Sequence, residues 1–494
     1  MNRQIRLLGV GLLACYVALF GMLNWIQVIK ADDYNNDPLN TAKVRQQFNR
    51  ERGTITSADG ALLAISVDNP DTSSQFERVR EYPEGDLFAQ VTGRFSFWYG
   101  STGVELTYAD ELSGQTFGQQ ARGFADLFVD ETNVGNVTVS VRKDLQQVAR
   151  DALGTREGSV VAVDVKTGEL LSFWSYPSYD PNLLATLDRE AAEVSWALLN
   201  LAEGTPLLAH QYQDRYFPGS TFKVVTGSTG VQTGKVTPAE PRYPVERSYT
   251  PPQTDTPIFN FAETACGGAL FNIVRVSCNT AFARMGVETI GPDDMIAGSE
   301  SFGFNDTPPI DLPGPASSAF PTNFTNDLPK LAQSSIGQND VQASPLQMAL
   351  VAAAVANQGR IMRPHVMTEI RDDNQNVVDR YEPGVWKEPL TPENAETMKQ
   401  AMIGVVEGGT ASGVRIPGFE VGAKTGTAQL GTEPPLSHLW MIAFGGPPGD
   451  PQVAVAAVVL NQPGLSEEAT GGAQAGPIVR RVLDAALQVK RTGG

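Results

Sequence analysis

A predominantly hydrophobic run extends from Leu7 to Ile29, directly after Arg3 and Arg6. As a helix, these 23 residues would span roughly 35 Å at about 1.5 Å per residue, which exceeds the bilayer core of about 30 Å. Because positively charged residues stay on the cytoplasmic side, the run predicts a single-pass membrane anchor with an extracytoplasmic remainder. The alternative is a cleaved signal peptide or a lipoprotein signal at Cys15, which the length of the run and the missing A-x-A site disfavour.

Short apolar runs and turn residues alternate in the segment that follows. Thr54–Thr56 and Leu62–Ile65 flank an Asp-Gly pair, which predicts a β-hairpin. Val137–Val141 alternates as a strand does, and Asp144–Leu153 has the pattern of a helix. We find no set of catalytic residue types in this strand-rich part of the chain.

The pattern changes near residue 155. Val160–Val163 and Leu170–Trp174 predict a second hairpin, and a mainly helical stretch includes Pro345–Asn357. The chain closes with strand patterns at Leu439–Phe444 and Val453–Leu460 and a helix from Pro477 to Val489. Strands at both ends with helices between them predict one sheet built from distant segments. The predicted divisions are a tail and anchor at 1–30, an outer domain at 31–155 and a second domain at 156–494.

Composition excludes several classes of function. The 494 residues are 41% hydrophobic and carry a net charge of −18, so neither a disordered chain nor a nucleic-acid-binding protein is expected. Three cysteines without a C-x-x-C pair do not suggest structural zinc. Only His210, His365 and His438 are present, and no G-x-S-x-G elbow accompanies them, which disfavours a Ser-His-Asp hydrolase. We therefore expect no metal and no cofactor.

The first candidate for chemistry is Ser220-Thr221-Phe222-Lys223, which follows a Pro-Gly pair. If a helix begins there, Ser220 and Lys223 share one face, so the hydroxyl and the amine would lie side by side. A neutral lysine can take the proton of a serine nucleophile, provided that burial or a second cation lowers its pKa. The alternative is a capped helix with a surface lysine.

The same spacing occurs at Ser140 and Lys143. The alternation around Ser140 predicts a strand, in which residues three apart face opposite sides. We therefore exclude this pair as a catalytic site.

A second candidate, Ser277-Cys278-Asn279, lies 57 residues after Ser220. Its hydroxyl could relay a proton, and its amide could hold a substrate backbone. The alternative is an ordinary N-cap before a helix.

The third candidate is Lys424-Thr425-Gly426-Thr427. A glycine lets a substrate lie against the strand edge, and the lysine and the threonine hydroxyls could receive a carboxylate. Lys424 is also a like charge that could lower the pKa of Lys223. The similar triplet at 166–168 precedes Ser220 and falls between two strand patterns, so we interpret it as a turn.

Together, S-x-x-K, S-x-N and K-T-G in this order match the motif set of penicillin-binding proteins and serine β-lactamases. The whole chain resembles a class B penicillin-binding protein, a peptidoglycan D,D-transpeptidase. Looser matches outside the three motifs are Arg52-Gly53-x-Ile55, Gly103-x-Glu105, Leu112-x-Gly114, Asp180-Pro181-Asn182 and Gly409-Thr410-Ala411.

This resemblance implies a mixed α/β (α+β) fold. It comprises a five-stranded antiparallel sheet flanked by helices, an all-helical lobe, a strand-rich N-terminal dimerisation or pedestal domain and an N-terminal transmembrane helix. It also implies that Ser220 attacks the penultimate D-Ala carbonyl of a stem peptide. Lys223 would be the general base, Ser277 would pass the proton to the leaving D-Ala, and Asn279 would hold Lys223 and an amide of the donor.

The resemblance further implies that Lys424, Thr425 and Thr427 bind the terminal carboxylate. The N–H groups of Ser220 and Thr427 would form the oxyanion hole. β-Lactams would act as inhibitors that trap Ser220. The expected partners are stem peptides, a RodA/FtsW-type glycan polymerase and division proteins.

Three rival functions remain. A β-lactamase is disfavoured because S-C-N replaces S-D-N and no E-x-x-L-N stretch lies between Asn279 and Lys424. A β-lactam or muropeptide sensor usually needs several spans or a signalling domain, and only six residues precede the apolar run. A catalytically idle scaffold is disfavoured because all three motifs are intact.

Two further expectations concern single residues. Cys266 and Cys278 lie 12 positions apart on the expected outer side of the membrane, and we hypothesise a disulfide between them, with two free thiols as the alternative. His438 follows the K-T-G segment and either lines the cleft or is structural, and we favour the structural role.

Overall fold

The computed structural model describes residues 2–25, 48–115, 134–463 and 470–493. Its strands are β1 (Ile55–Thr56), β2 (Leu62–Asp68), β3 (Arg78–Glu81), β4 (Phe95–Ser96), β5 (Gly100–Ser101), β6 (Asn136–Val139), β7 (Gly158–Asp164), β8 (Leu170–Tyr176), β9 (Tyr243–Glu246), β10 (Ser248–Tyr249), β11 (Ile258–Phe259), β12 (Cys266–Gly268), β13 (Ile361–Met362), β14 (Met367–Arg371), β15 (Val377–Arg380), β16 (Val385–Lys387), β17 (Glu420–Gln429), β18 (Leu436–Gly446) and β19 (Val453–Pro463).

The α-helices cover Asn2–Asn24, Ala89–Thr92, Gly103–Thr107, Ala109–Leu112, Lys143–Leu153, Asn182–Ala185, Arg189–Leu201, Lys223–Gln232, Leu270–Arg275, Asn279–Arg284, Pro292–Ser301, Leu328–Ser334, Pro345–Ala356, Pro392–Gly408, Gly471–Gln474 and Gly476–Thr492. Short 3₁₀ turns lie at Gly85–Leu87, Gly219–Phe222, Phe261–Glu263 and Ser412–Val414, and a π-helical turn covers Met285–Ile290.

The chain divides into two compact units. The first comprises the described parts of Met1–Glu51 and Val67–Val79. It contains the apolar helix Asn2–Asn24, whose stretch from Arg6 to Asn24 is long and apolar enough to cross a membrane and has none of its residues buried. Residues 26–29, the end of the predicted anchor, lie outside the described residues.

The second unit contains the central sheet, with the strand order β17-β18-β19-β7-β8 and antiparallel neighbours throughout. β7 thus lies beside β19, where Asp164 pairs with Val453, which confirms the predicted sheet of distant segments. Nearly every residue of β7, β18 and β19 is buried. Because successive side chains of a strand face opposite sides, both faces of the sheet are covered.

Helices provide that cover. Pro345–Ala356 is buried along its whole length and packs on β7, β18 and β19. The C-terminal helix Gly476–Thr492 buries one side against β18 and β19, where Leu483 and Leu487 approach Gly445. The predicted fold class, a mixed α/β structure with this five-stranded sheet, is confirmed.

A second sheet has the strand order β15-β14-β6-β1-β2-β3. The predicted hairpin is present, since β1 pairs with β2 in antiparallel fashion. β14 and β15 follow residue 155 in sequence, yet β14 pairs with β6. The outer sheet therefore takes strands from both sides of the predicted boundary, and the boundary itself stays a prediction.

The region around Ser140 differs from the prediction in one detail. The strand ends at Val139, and a helix begins at Lys143, so Ser140 lies in the connection between them rather than on the opposite face of the same strand as Lys143. The Ser140 hydroxyl donates to the carbonyl of Leu170 at 2.9 Å. The Lys143 amine donates to Glu84 at 2.7 Å. Each side chain thus has its own partner elsewhere.

Candidate active site

Ser220 lies in the 3₁₀ turn Gly219–Phe222, which continues directly into the helix Lys223–Gln232. The sequence favours a break before this helix, because Pro218 and Gly219 precede it and Gly219 has a φ of +53°. Ser220 is half-buried and lines an open cleft with a volume of about 820 Å³.

β17 packs closely against this turn. A side-chain carbon on Gly426 would meet the carbonyl oxygen of Pro218 at 2.9 Å, and one on Gly219 would meet the carbonyl oxygen of Thr427 at 2.7 Å. The Trp440 indole N–H on the neighbouring strand donates to the carbonyl of Phe217 at 2.9 Å. The K-T-G strand and the nucleophile turn are therefore in direct contact, with room for no side chain at Gly426.

Lys223 points into the S-x-N segment and is only 1% exposed. Its amine donates to the backbone carbonyl of Ser277 at 2.7 Å and to Asn279 Oδ1 at 2.6 Å, and it lies 3.4 Å from Ser277 Oγ. Ser277 holds these contacts from a left-handed backbone conformation, with φ +57°, which residues other than glycine adopt rarely. Such outliers cluster at functional sites.

Lys424 reaches the same serine from β17. Its amine donates to Ser277 Oγ at 2.7 Å and to the carbonyl of Thr425 at 2.9 Å. The Ser277 hydroxyl therefore lies between the two lysine amines, and segments 147 residues apart in sequence meet at one atom.

The electrostatics of this cluster are unusual, because two lysines are buried side by side. In the part of the chain that the structure describes, neither Lys223 nor Lys424 forms an ion pair with a carboxylate. Burial and the nearby charge of Lys424 hold the pKa of Lys223 well below its usual range. Burial alone lowers the pKa of Lys424 to about 7. The neutral form of the Lys223 amine, which can accept a proton, is therefore favoured more strongly than in an ordinary lysine.

The expected contact between Ser220 and Lys223 is not a direct hydrogen bond. Among the described residues, the side-chain partners of the Lys223 amine are Ser277 and Asn279, and the Ser220 hydroxyl forms no bond to it. Ser220 and Lys223 nevertheless lie three positions apart where the 3₁₀ turn continues into the helix, as the sequence predicts.

The cleft brings together most of the predicted site residues. Its lining includes Ser220, Ser277, Asn279, Thr425, Gly426 and Thr427. Lys223 and Lys424 lie behind this lining, fully buried.

Several residues that line the cleft were not predicted from the sequence. They are Phe259, Phe261, Gln333, Gln338 and Thr470, which belong to no motif and carried no signal in a single sequence. Thr410, whose Oγ1 lies 2.8 Å from Thr425 Oγ1, had been noted only as part of the resemblance.

The structure joins Cys266 and Cys278 in a disulfide with an S–S distance of 2.11 Å. Cys266 also lines the cleft. His438 does not line it. Its ring packs edge-on against Tyr216 at 5.4 Å and accepts from the backbone N–H of Asn461 at 3.3 Å.

Comparison with known proteins agrees with this geometry. The model of the penicillin-binding protein transpeptidase domain matches residues 158–484. This chain belongs to the penicillin-binding protein transpeptidase family. The model of the penicillin-binding protein A dimerisation domain matches residues 52–138.

Penicillin-binding proteins of actinobacteria are among the similar sequences and structures. Peptidoglycan D,D-transpeptidase PbpA of Mycolicibacterium smegmatis is 37% identical over 99% of both chains, and PbpA of Mycobacterium tuberculosis is 34% identical over 99% of both. The ceftriaxone acyl-enzyme structure of penicillin-binding protein A from M. tuberculosis superposes with a TM-score of 0.82 and 33% identity, covering 90% of this chain and 100% of that one. The predicted membership of class B is confirmed, and actinobacterial PbpA proteins are among the similar relatives.

Proposed function

We propose that this penicillin-binding protein is a peptidoglycan D,D-transpeptidase that cross-links stem peptides through an acyl-enzyme on Ser220 and is inhibited by β-lactams. The observation that carries the proposal is the buried amine of Lys223, whose pKa is held well below its usual range and which lies one helical turn from a serine in an open cleft. Similar proteins named D,D-transpeptidases, and their structures as β-lactam acyl-enzymes, support the same reaction.

The hydrogen bonds of Lys223 favour a role as the proton acceptor. A neutral amine has two hydrogens and one lone pair. The carbonyl of Ser277 and Asn279 Oδ1 can only accept, so they take the two hydrogens. The lone pair is then free to accept the proton of the Ser220 hydroxyl as its oxygen attacks the carbonyl carbon of the penultimate D-Ala.

Ser277 is placed to return the proton. Its hydroxyl accepts from Lys424 and lies 3.4 Å from the amine of Lys223. The proton taken up by Lys223 can pass through this hydroxyl to the nitrogen of the leaving D-Ala as the peptide bond breaks. Lys424 keeps the serine oriented and supplies positive potential to the cleft.

Substrate binding falls to β17. Thr425 and Thr427 line the cleft, whereas the amine of Lys424 is buried behind them. We place the terminal carboxylate on the two threonine hydroxyls, within the field of Lys424, and the oxyanion on the backbone N–H groups of Ser220 and Thr427. Removing one oxyanion donor typically lowers the rate by about 10²–10³-fold.

The second half of the reaction transfers the acyl group. An amine of a neighbouring stem attacks the ester carbonyl, Lys223 accepts the amine proton, and the new amide forms as the Ser220 oxygen leaves and is reprotonated. The products are a cross-linked peptide and the free enzyme, so no cofactor or metal is required.

Labelling with a fluorescent penicillin tests the proposal. Wild type should form a stable covalent adduct, and Ser220→Ala should form none. Ser140→Ala is the matched control, because it removes the other serine with the S-x-x-K spacing, and it should label as wild type does. Label on the Ser220→Ala variant would refute the nucleophile. Loss of the label within seconds would favour a β-lactamase-like hydrolase.

Cross-link analysis separates the enzyme from its rivals. A strain that depends on this protein should lose peptide cross-links when only Ser220→Ala is present. If cross-linking persists although the wild-type protein binds penicillin, a sensor or scaffold is the better interpretation.

Topology and partners are part of the same proposal. The exposed helix Asn2–Asn24, with Arg3 and Arg6 before its apolar stretch, supports a single-pass anchor with a cytoplasmic N-terminus. An extracytoplasmic catalytic domain fits a substrate in the wall. We also propose a RodA/FtsW-type glycan polymerase as partner, a role in division or cell shape, and the domain boundaries near residues 30 and 155. Protease accessibility in spheroplasts tests the topology, because the domain after the anchor should be cleaved while the membrane is intact.

A further inference from the structure

The segment from Phe259 to Cys266, here called the clasp, is tied to the residues that follow Ser277. The residues tied to it are the consecutive Cys278, Asn279 and Thr280. The ties are the Cys266–Cys278 disulfide, a 2.8 Å bond from Asn279 Nδ2 to the carbonyl of Phe259, and a 3.0 Å bond from the Thr280 N–H to Asn260 Oδ1.

Within the clasp, Asn260 is buried and is 5% exposed. Its Nδ2 donates to the carbonyls of Glu246 at 2.8 Å and Thr264 at 2.9 Å, while its Oδ1 accepts from Thr280. Both ends of the amide are therefore in use. Turning the amide over would place N–H against N–H and oxygen against two carbonyls, so its orientation is determined.

The clasp in turn determines the orientation of Asn279. Its Nδ2 donates to the carbonyl of Phe259, so its Oδ1 faces the Lys223 amine at 2.6 Å. The opposite orientation would place an NH₂ group against that amine and leave the Phe259 carbonyl without this donor. The amide therefore presents an acceptor to Lys223 only while the Phe259 carbonyl stays in place.

We propose that Asn260 is a positioning residue for acylation, which holds Phe259 and Thr280 so that Asn279 and Ser277 keep the Lys223 amine aimed at Ser220. This inference rests on the proposed function, since it concerns the proton acceptor of that reaction. Asn260 lies in the cleft wall but forms no hydrogen bond to Lys223 or Ser220 among the described residues, so it acts through its neighbours.

The pH dependence of acylation distinguishes positioning from a merely structural role. Among the described side chains that face the amine of Lys223, only that of Lys424 on β17 titrates, because Ser277, Asn279 and the ring of Phe282 do not. A loosened clasp admits water to the amine and reduces the burial that lowers its pKa. Protonated Lys223 cannot accept the serine proton, so the acidic limb of the rate profile should move to higher pH.

The decisive variant is Asn260→Ala in the full-length protein, measured by the second-order rate of labelling with a fluorescent penicillin from pH 5 to 9. We expect the rate at pH 7 to fall roughly 10- to 100-fold, as small misplacements of catalytic groups do, and the acidic limb to shift upward. Asn272→Ala is the matched control. It removes a 2.7 Å bond to the carbonyl of Gly267 in β12 but no contact with residues 277–280. The labelling rate and the acidic limb of its pH profile should therefore stay as in wild type.

A second variant covers the case in which Asn260→Ala does not fold. Replacing both Cys266 and Cys278 by alanine removes another tie of the clasp while Asn260 stays, and should give a smaller rate loss with the same upward shift. The proposal is overturned if folded Asn260→Ala labels at the wild-type rate. It is also overturned if labelling slows but the acidic limb of the pH profile stays where it is in wild type. Label on Ser220→Ala would instead overturn the proposed function, so the two failures are distinguishable.

Discussion

Two regions of this penicillin-binding protein share the S-x-x-K spacing and differ in every property that matters for catalysis. Lys143 is 45% exposed and is paired with the carboxylate of Glu84 at 2.7 Å. Lys223 is 1% exposed and has no carboxylate partner among the described residues. Burial beside another lysine lowers the pKa of Lys223 and favours its basic form. Spacing therefore brings a serine and a lysine near each other, and the surroundings decide their chemistry.

The two lysine-threonine-glycine triplets repeat this contrast. Lys166 lies in the turn between β7 and β8, where its N–H is bonded to Asp164 and its amine pairs with Asp450 at 3.3 Å near solvent. Lys424 lies in β17, is fully buried and donates to Ser277. The triplet at 166–168 forms a hairpin turn, whereas Thr425 and Gly426 of the triplet at 424–426 line the cleft.

The largest effect should come from Lys223→Met. The variant lacks the proton acceptor, and general-base catalysis typically contributes about 10²–10⁴-fold, so the acylation rate should fall by roughly 10³-fold. The measurement is the second-order rate with a fluorescent penicillin. Lys143→Met, its matched control, should retain the wild-type rate, because it removes only a partly exposed ion pair. Equal losses in both variants would contradict the contrast.

Lys424→Met should have the next largest effect. Ser277 loses the 2.7 Å bond that orients its hydroxyl, and the positive potential in the cleft falls, so acylation should slow roughly 100-fold. Removing the like charge also raises the pKa of Lys223, which moves the acidic limb of the remaining activity to higher pH. Lys166→Met should change neither quantity, and a slowed control would show that the assay reports on stability alone.

A smaller effect is expected at the glycines of the triplets. Gly426→Ala places a carbon 2.9 Å from the carbonyl oxygen of Pro218, which forces β17 away from the nucleophile turn and should lower acylation roughly tenfold. Gly168→Ala is strained both by its φ of +87° and by the carbonyl oxygen of Arg363, which an added carbon would meet at 2.3 Å. It should lower the melting temperature without slowing acylation by the folded fraction. If both variants acylate equally, the close approach at Gly426 has no catalytic importance.

The smallest effect concerns stability against pH. The pKa of Lys424 is about 7 in the folded protein and about 10.4 in an unfolded chain, so between these values the unfolded state binds more protons. Stability from this group therefore rises with pH across that window. The melting temperature of wild type relative to Lys424→Met should increase from pH 7 to pH 10. A constant difference would show that Lys424 is charged when folded.

Much of this protein could be predicted from the chain alone. The apolar helix, the hairpins and the sheet of distant segments follow from local hydrophobic patterns, and the order of three short motifs indicated the family. Of the ties of the clasp, only the Cys266–Cys278 pairing was hypothesised from the sequence. The others could not be predicted, because Asn260 and Phe259 belong to no motif and act through a side-chain amide and a backbone carbonyl. Likewise, β14 pairs with β6 although no local pattern in either strand specifies a partner.

The sequence by itself determined which residue types are available and which of them share a turn, since Ser220 and Lys223 are neighbours on any helix that begins there. Only the tertiary structure decided that the pKa of Lys223 is lowered, that Ser277 lies between two amines and that Lys143 is partly exposed and paired with Glu84. The physical reason is that a pKa depends on desolvation and on nearby charges. For Lys223, these are supplied by segments that only the fold brings together.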